Sequence, residues 1–140
     1  MGLPWASRMV AKATMAEPGK GSRRAAERRG RSAEAVAALL LRAKLFRIVE
    51  RRVKTPRGEI DIVARRGRLT VFAEVKARAS HDVAIASVTP HQARRIRDAA
   101  NIWLARNNMA GDSDCRFDII TVNSYLWPRH VQNAFAADIW

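Results

Sequence analysis

With 140 residues and a net charge of +13, the chain has the length of one ordinary domain and a large excess of positive charge. A domain of this size buries about 68–70% of its unfolded surface, and a hydrophobic fraction of 48% is normal for a globular protein. Its single cysteine, Cys115, excludes an intrachain disulfide framework and a cysteine zinc cluster.

The excess of positive charge favours a polyanionic partner, because every phosphate that is neutralised releases condensed counterions. Nucleic acid and a membrane surface are both polyanions, and charge alone does not choose between them. No apolar run approaches the roughly 20 residues that a membrane span needs, and the amino terminus lacks the unbroken apolar stretch of a secretory signal. We therefore predict a cytoplasmic protein without a membrane partner.

The chain begins with a segment, residues 1–30, that is rich in Gly, Pro, Ser and Arg and lacks apolar periodicity. We predict a flexible basic arm here, with an organellar transit peptide as the alternative. Residues 31–140 are predicted to form one domain. Its first helix is expected to start at an N-cap on Ser32 and to run to about Lys44. The side chains expected to face the core are Val36, Leu39, Leu40 and Ala43.

Three strands are predicted next, over 46–53, 59–65 and 69–76, because these segments are rich in Ile, Val and Phe. A loop covers 77–88. Thr89, Pro90 and Gln92 then form a strong helix start with a capping box. The predicted buried stripe of this helix is Ala93, Ile96, Ala100, Trp103 and Leu104. A fourth strand over 116–122 and an extended piece over 131–139 complete the order α-β-β-β-α-β.

The hairpin formed by the second and third strands carries the residues that indicate chemistry. If it closes through a two-residue loop at Arg66-Gly67, Asp61 faces Phe72 and Glu59 faces Glu74. One face is then wholly apolar and consists of Ile60, Ile62, Ala64, Leu69, Val71 and Ala73. The opposite face collects Glu59, Asp61, Glu74 and Lys76.

In this register Asp61 and Glu74 are diagonal neighbours, with Cα atoms roughly 7–8 Å apart. Two carboxylates at that spacing can share one Mg²⁺, and Lys76 can stabilise negative charge beside it. The alternative is a solvated strand face with cross-strand ion pairs. Glu59 opposite Glu74 weighs against this alternative, because like charges in direct opposition are destabilising.

Two short motifs, Gly58-Glu59-Ile60-Asp61 and Glu74-Val75-Lys76, resemble the PD-(D/E)xK nuclease signature, with Ile60 in place of the usual proline. More closely, the chain from about residue 30 onward resembles the YraN family of predicted bacterial endonucleases, which are distantly similar to archaeal Holliday junction resolvases. Further matching positions are Gly30, Glu34, Ile48-Val49-Glu50-Arg51, Thr89, Arg95-Ile96, Arg116-Phe117-Asp118 and Asn133-Ala134-Phe135.

The resemblance implies an α/β fold of the restriction-endonuclease type, a mixed sheet flanked by helices. It implies that Asp61 and Glu74 bind Mg²⁺ or Mn²⁺, that Lys76 is catalytic, and that Glu34 is an acid at the edge of the site. The implied reaction is hydrolysis of branched or otherwise structured DNA, and a homodimer would supply paired active sites. The chain departs from the family at residues 51–54, where it lacks an aromatic residue that would be able to touch substrate.

Basic side chains near these motifs are the candidates for phosphate contacts. They are Arg51, Arg52, Lys54, Arg57, Arg78, Arg94, Arg95 and Arg97. Asp118 is expected to pair with an arginine in a structural role, and the three histidines are assigned to surfaces or loops because their spacing matches no metal site. The alternative function is a non-catalytic nucleic-acid-binding protein that keeps the nuclease fold.

Overall fold

A computed structural model of the chain describes residues 19–109 and 114–135. Four helices or strands come first: α1 (Lys20–Ala43), β1 (Arg47–Thr55), β2 (Gly58–Arg66) and β3 (Leu69–Ala77). They are followed by α2 (His81–Ala86), α3 (Pro90–Arg106), β4 (Asp114–Val122) and β5 (Pro128–Val131). The predicted α-β-β-β-α-β order is confirmed, with α2 and β5 added to it.

The five strands form one mixed sheet in the order β1-β2-β3-β4-β5. β3 and β4 run parallel, and the other neighbouring pairs are antiparallel. The α2–α3 segment connects the two parallel strands, as a parallel pair requires a crossover. Because β3 and β4 are parallel, their carboxyl ends lie at the same edge of the sheet.

Helices cover both faces of the sheet, so the predicted α/β layering is confirmed. On one face, Ala37, Ala38 and Leu41 of α1 pack on Ile62, Ala64, Val71, Ala73 and Ile120. On the other face, α3 packs on β1 and on the central strands. There Phe72 stacks on Phe117 with ring centroids 5.5 Å apart and meets the edge of Trp103 at 5.8 Å. The predicted buried stripe of α3 is confirmed throughout.

The first helix begins at Lys20, so the predicted start at Ser32 is wrong. The part of the predicted arm before residue 19 lies outside the described residues. Residues 20–32 are almost entirely exposed, so they carry no apolar stripe, but eight of these thirteen residues are Arg, Ala or Lys, which have high helix propensity. The buried side is also different, because Ala33, Ala37, Ala38 and Leu41 face the sheet whereas Leu39 is 66% exposed.

Two smaller predictions also need correction. The 77–88 segment is not wholly a loop, because the Ser80 hydroxyl accepts a hydrogen bond from the Val83 N–H and caps α2. The last strand starts at Pro128 and ends at Val131, and residues 136–140 of the predicted extended piece lie outside the described part of the chain. No helix in the described ranges has the length and apolarity required to cross a membrane.

Candidate active site

The β2–β3 hairpin closes through Gly67-Arg68 rather than Arg66-Gly67, because Arg66 pairs with Leu69. Gly67 has a φ of 59° at the first loop position, where type II′ hairpin turns prefer glycine. The observed register pairs Ile62 with Ala73 instead of Val71. Since the partner moves by two residues, each side chain of the paired segment keeps its predicted face.

The observed register brings the two candidate metal ligands, Asp61 and Glu74, closer together than predicted. Continuing the observed register places Asp61 opposite Glu74, not opposite Phe72, and Glu59 no longer faces Glu74. The ladder ends at the Ile62–Ala73 pair. Beyond it, the Asp61 Oδ2 accepts a hydrogen bond of 2.8 Å from the Val75 N–H. Where β2 and β3 separate, the Asp61 carboxylate therefore accepts a hydrogen bond from β3 in place of a β2 backbone carbonyl.

The apolar face predicted for the hairpin is only partly correct. Ile62, Ala64, Val71 and Ala73 do share the α1 face. Ile60 instead packs with Val63 and Phe72 against α3. The opposite face is therefore not a polar surface, and the acidic residues stand only beyond the ladder. Gly58 begins β2 close to α3, and a Cβ there would lie 3.3 Å from the Arg95 Cβ and carbonyl oxygen.

Glu74 and Lys76 project from β3 beside Asp61. The Lys76 Nζ lies 3.3 Å from the Glu74 Oε1, and the two side chains are only 13% and 14% exposed. The carboxyl groups of Asp61 and Glu74 are close enough to share a hydrogen bond. Three of the four predicted catalytic residues thus meet in one nearly buried cluster.

Burial gives this cluster unusual proton affinities. Burial raises the pKa of Glu74 to about 8, the Asp61 carboxylate adds to the rise, and the Lys76 ammonium opposes it. Burial likewise raises the pKa of Asp61, against the hydrogen bonds from Val75 and Glu74. In the absence of a cation, the acid pair therefore retains a proton at neutral pH. The Glu74–Lys76 ion pair reaches full strength only when Glu74 is ionised.

The fourth predicted catalytic residue, Glu34, approaches the cluster from α1. Its Oε2 accepts a 2.9 Å hydrogen bond from the Arg52 Nε and lies 3.9 Å from an Arg51 guanidinium nitrogen. Arg52 has a φ of 53° and lies opposite Asp61, between the Arg51–Ile62 and Val53–Ile60 pairs. Glu34 also raises the pKa of Asp61 by charge repulsion. Its carboxylate is thus near the acid pair but engaged by two arginines.

Residues 33–122 match UPF0102, which is described as an uncharacterised protein family. The chain belongs to UPF0102. Three of its relatives, each named a UPF0102 protein, show the extent of the match. The one from Mesorhizobium japonicum is 48% identical over 86% of this chain and 97% of its own length. Those from Brucella canis and Bradyrhizobium diazoefficiens are 50% and 52% identical, covering 78% and 87% of this chain and 86% and 93% of their own lengths. UPF0102 is the YraN family, so the resemblance to the YraN family is confirmed.

The basic residues of this UPF0102 chain fall into separate groups. Arg51 and Arg52 are held beside the acid cluster by their ion pairs with Glu34. Arg78 lines a cleft together with Lys76. Arg95 donates a 3.0 Å hydrogen bond to the Arg57 carbonyl at the β1–β2 turn. The remaining predicted phosphate contacts are on α3 and β1: Arg94 and Arg97 line a small cleft with Asp98, and the Lys54 carbonyl accepts from Arg106 at 3.5 Å.

A second polar cluster of the UPF0102 fold was only partly predicted. Asp118 is fully buried and accepts two 2.8 Å hydrogen bonds from Arg116, as expected for a structural pair. It also accepts from the His130 Nε2 at 2.6 Å and from the Asn133 N–H at 2.9 Å. The His130 Nδ1 lies 2.8 Å from the Lys44 Nζ. The assignment of His130 to a surface is therefore wrong, because its side chain is 2% exposed. A lone histidine in a short edge strand gave no sequence signal for this.

The donor set of the acid cluster fits a hard divalent cation. Within the described ranges, no group of three or more His, Cys, Asp and Glu side chains converges on a metal position. Asp61 and Glu74 nevertheless supply two carboxylates that repel each other in a nearly buried setting. Mg²⁺ prefers such oxygen ligands and commonly binds through one or two carboxylates while keeping several waters.

The raised pKa of Glu74 predicts a pH-dependent stability for the metal-free protein. Between about pH 4.5 and 8, folded Glu74 holds a proton that the unfolded chain has lost. The free energy of unfolding should therefore fall as the pH rises through this window, by at most about 1.4 kcal/mol per pH unit for one proton. Glu74→Gln should reduce this slope and be more stable than wild type at pH 8. Urea denaturation in EDTA at several pH values measures both effects.

The matched control for this experiment is Glu59→Gln, which changes an exposed acid of the neighbouring strand β2. It should retain the wild-type slope. A stability that rises over the window, or a Glu74→Gln protein with an unchanged slope, would contradict the assignment of a shared proton to the acid pair.

Proposed function

We propose that this UPF0102 chain is a divalent-metal-dependent nuclease that hydrolyses phosphodiester bonds in DNA. The observation that supports this most strongly is the meeting of Asp61, Glu74 and Lys76 in one nearly buried cluster at the point where β2 and β3 separate. Two carboxylates in mutual repulsion beside an ammonium group are costly for a purely structural site. A divalent cation held by Asp61 and Glu74 would remove that cost and give the arrangement a function.

Asp61 and Glu74 are the residues that would hold Mg²⁺ or Mn²⁺. When bound, the cation would supply polarisation of a phosphate oxygen and acidification of water in the site. Asp61 is oriented for this role by the Val75 N–H, and Glu74 by the Lys76 ammonium. With 13% exposure, Lys76 is held in place before substrate arrives. Its Nζ donates hydrogen bonds to the phosphate as negative charge develops on it.

The net charge of +13 supports a polyanionic substrate. Arg51 and Arg52, beside the acid cluster, and Arg78, in the cleft shared with Lys76, are the nearest basic candidates for contacts with DNA phosphates. The resemblance to junction resolvases favours branched or otherwise structured DNA. A homodimer would let two such sites cut two strands of one junction.

Cleavage assays on branched and linear DNA test the proposal. The wild-type chain should cut DNA with Mg²⁺ or Mn²⁺ and lose this activity when EDTA is added. An identically purified Asp61→Asn protein controls for contaminating nucleases. Cleavage that is equal in the two proteins, or that persists in EDTA, would contradict the proposed site.

A second candidate is a non-catalytic nucleic-acid-binding protein with the same fold. The pairing of Glu34 with Arg51 and Arg52 favours it, because this pairing leaves the site with two carboxylates rather than three. It predicts salt-sensitive DNA binding that EDTA does not weaken, and no cleavage with any divalent ion. The same assays therefore separate the two candidates.

A further inference from the structure

The loop between β4 and β5 presents three large apolar side chains to solvent. Tyr125 is 90% exposed, Trp127 is 70% exposed and Leu126 is 49% exposed. Scattered apolar residues are normal on a protein surface, but a contiguous group of this kind marks an interaction site. Nothing in the folding of the sheet requires two aromatic rings at this position.

The backbone of this loop is held in one conformation by Asn123. The Asn123 Oδ1 accepts 3.0 Å hydrogen bonds from both the Tyr125 and Trp127 N–H groups. The Asn123 N–H donates to the Trp127 carbonyl and the Asn123 carbonyl accepts from the Leu126 N–H. Leu126 has a φ of 57°, a conformation that non-glycine residues rarely adopt. The backbone that carries the two aromatic residues is therefore held in place before any partner binds, at the expense of local backbone strain.

The loop borders a cleft of about 520 Å³ that contains the catalytic lysine. Its walls come from α1, from the carboxyl ends of β3 and β4, and from the loop itself. Lys76, Arg29 and Arg78 give the cleft a basic lining, and Leu126 lines it from the loop side. The cleft therefore joins Lys76 of the acid cluster, along basic side chains, to the loop that carries the two exposed aromatic residues.

We propose that Tyr125 and Trp127 form a stacking platform for unpaired bases of a nucleic-acid strand whose phosphates lie along this cleft. Aromatic faces stack on bases of any sequence, while Lys and Arg side chains neutralise the backbone between them. Bases in an intact duplex are not available for such stacking. The platform selects substrates with unpaired bases, such as single strands and the branch points of structured DNA. The choice of nucleic acid as occupant rests on the proposed function.

Charge decides between this occupant and a second copy of the chain. The cleft beside the loop is lined by three cations, and the whole chain carries +13. Two copies docked through this face would bring their cations together, which opposes association. A polyanion with apolar bases complements both the charge and the aromatic surface.

The test is a binding measurement in EDTA, where metal-dependent cleavage does not occur. Fluorescence anisotropy would compare a labelled oligothymidylate with a blunt duplex of equal length for the wild-type chain, Trp127→Ala and Tyr125→Ala. Each substitution should weaken single-strand binding by roughly 5- to 150-fold, the usual contribution of one base stack. Duplex affinity should stay near the wild-type value. Because the assay measures binding and not turnover, the binding result can be interpreted even if the chain is shown not to cleave DNA.

Two further variants separate stacking from apolar contact. Trp127→Phe should bind the oligothymidylate almost as well as wild type, whereas Trp127→Leu should bind as weakly as Trp127→Ala. Unchanged single-strand affinity in Trp127→Ala, or wild-type affinity in Trp127→Leu, would overturn the proposal. It would equally be overturned if sedimentation showed that Trp127→Ala dissociates a dimer while single-strand affinity is unchanged, because the loop would then be a self-association surface.

Discussion

Replacing Asp61 with asparagine is expected to lower metal-dependent DNA cleavage by roughly 100- to 1,000-fold, the usual cost of removing one electrostatic stabiliser from an active site. Asparagine has nearly the same shape, and its Oδ1 can still accept the hydrogen bond from the Val75 N–H that Asp61 accepts at 2.8 Å. The hairpin should therefore stay intact while the site loses one of its two adjacent negative charges. Initial cleavage rates, measured for both proteins at a Mg²⁺ concentration that saturates the wild-type chain, give the effect.

Glu59→Gln is the matched control for Asp61→Asn. Glu59 lies two residues away on the same strand and is exposed, whereas Asp61 is oriented into the acid cluster. The control should keep a cleavage rate close to wild type. An Asp61→Asn protein that folds and cuts normally, or a Glu59→Gln protein that loses activity equally, would show that Asp61 has no special part in catalysis.

The largest expected change in stability comes from Asp118→Ala, which should lower the free energy of unfolding by about 3–5 kcal/mol. Asp118 is fully buried and accepts hydrogen bonds from Arg116, from His130 and from the Asn133 N–H. Burial alone would raise the pKa of Asp118, but these donors lower it overall. Alanine would leave the donors and the Arg116 charge without their acceptor. Urea denaturation at pH 7 measures the loss.

Asp82→Ala provides the comparison within the same chain. Asp82 pairs with Arg129 at 3.9 Å, and its side chain is 96% exposed. Exposed pairs of this kind contribute between 0 and about 1 kcal/mol, so the variant should unfold almost as wild type does. Equal losses for the two aspartate variants would contradict the structural role assigned to the Asp118 cluster. Because the pKa of Asp118 is lowered, its contribution should be complete near neutral pH and disappear in acid as the carboxylate is protonated.

The parts of the fold that the sequence predicted correctly are those governed by local patterns. Thr89 and Gln92 form the predicted capping box of α3, and the alternation of β2 and β3 is preserved for Ile62, Ala64, Val71 and Ala73. These features depend on residues a few positions apart. The motif containing Asp61, Glu74 and Lys76 was found for the same reason, since a hairpin converts short sequence separations into spatial proximity.

The errors arose where contacts over long sequence distances decide the structure. The face of α1 that is buried depends on how closely its alanines fit against the sheet. Ala37 and Ala38 therefore face the sheet, and Leu39 is exposed. Ile60 lies on the α3 side because the pairing of β2 with β3 ends before Asp61. Neither feature follows from a periodic pattern in the sequence. The polar network joins His130 of β5 to Arg116 and Asp118 of β4 and to Lys44 at the end of α1, and no local pattern in the sequence reveals it.

A Mn²⁺ titration of the wild-type chain, monitored by calorimetry or electron paramagnetic resonance, tests most directly whether Asp61 and Glu74 form a divalent-metal centre. We expect a Mn²⁺ site that is lost in Asp61→Asn and in Glu74→Gln but retained in Glu59→Gln. Because the pKa of Glu74 is raised to about 8, binding should release protons and strengthen as the pH rises toward that value. Absence of Mn²⁺ binding in wild type, or undiminished binding in the two site variants, would contradict a divalent-metal centre at Asp61 and Glu74.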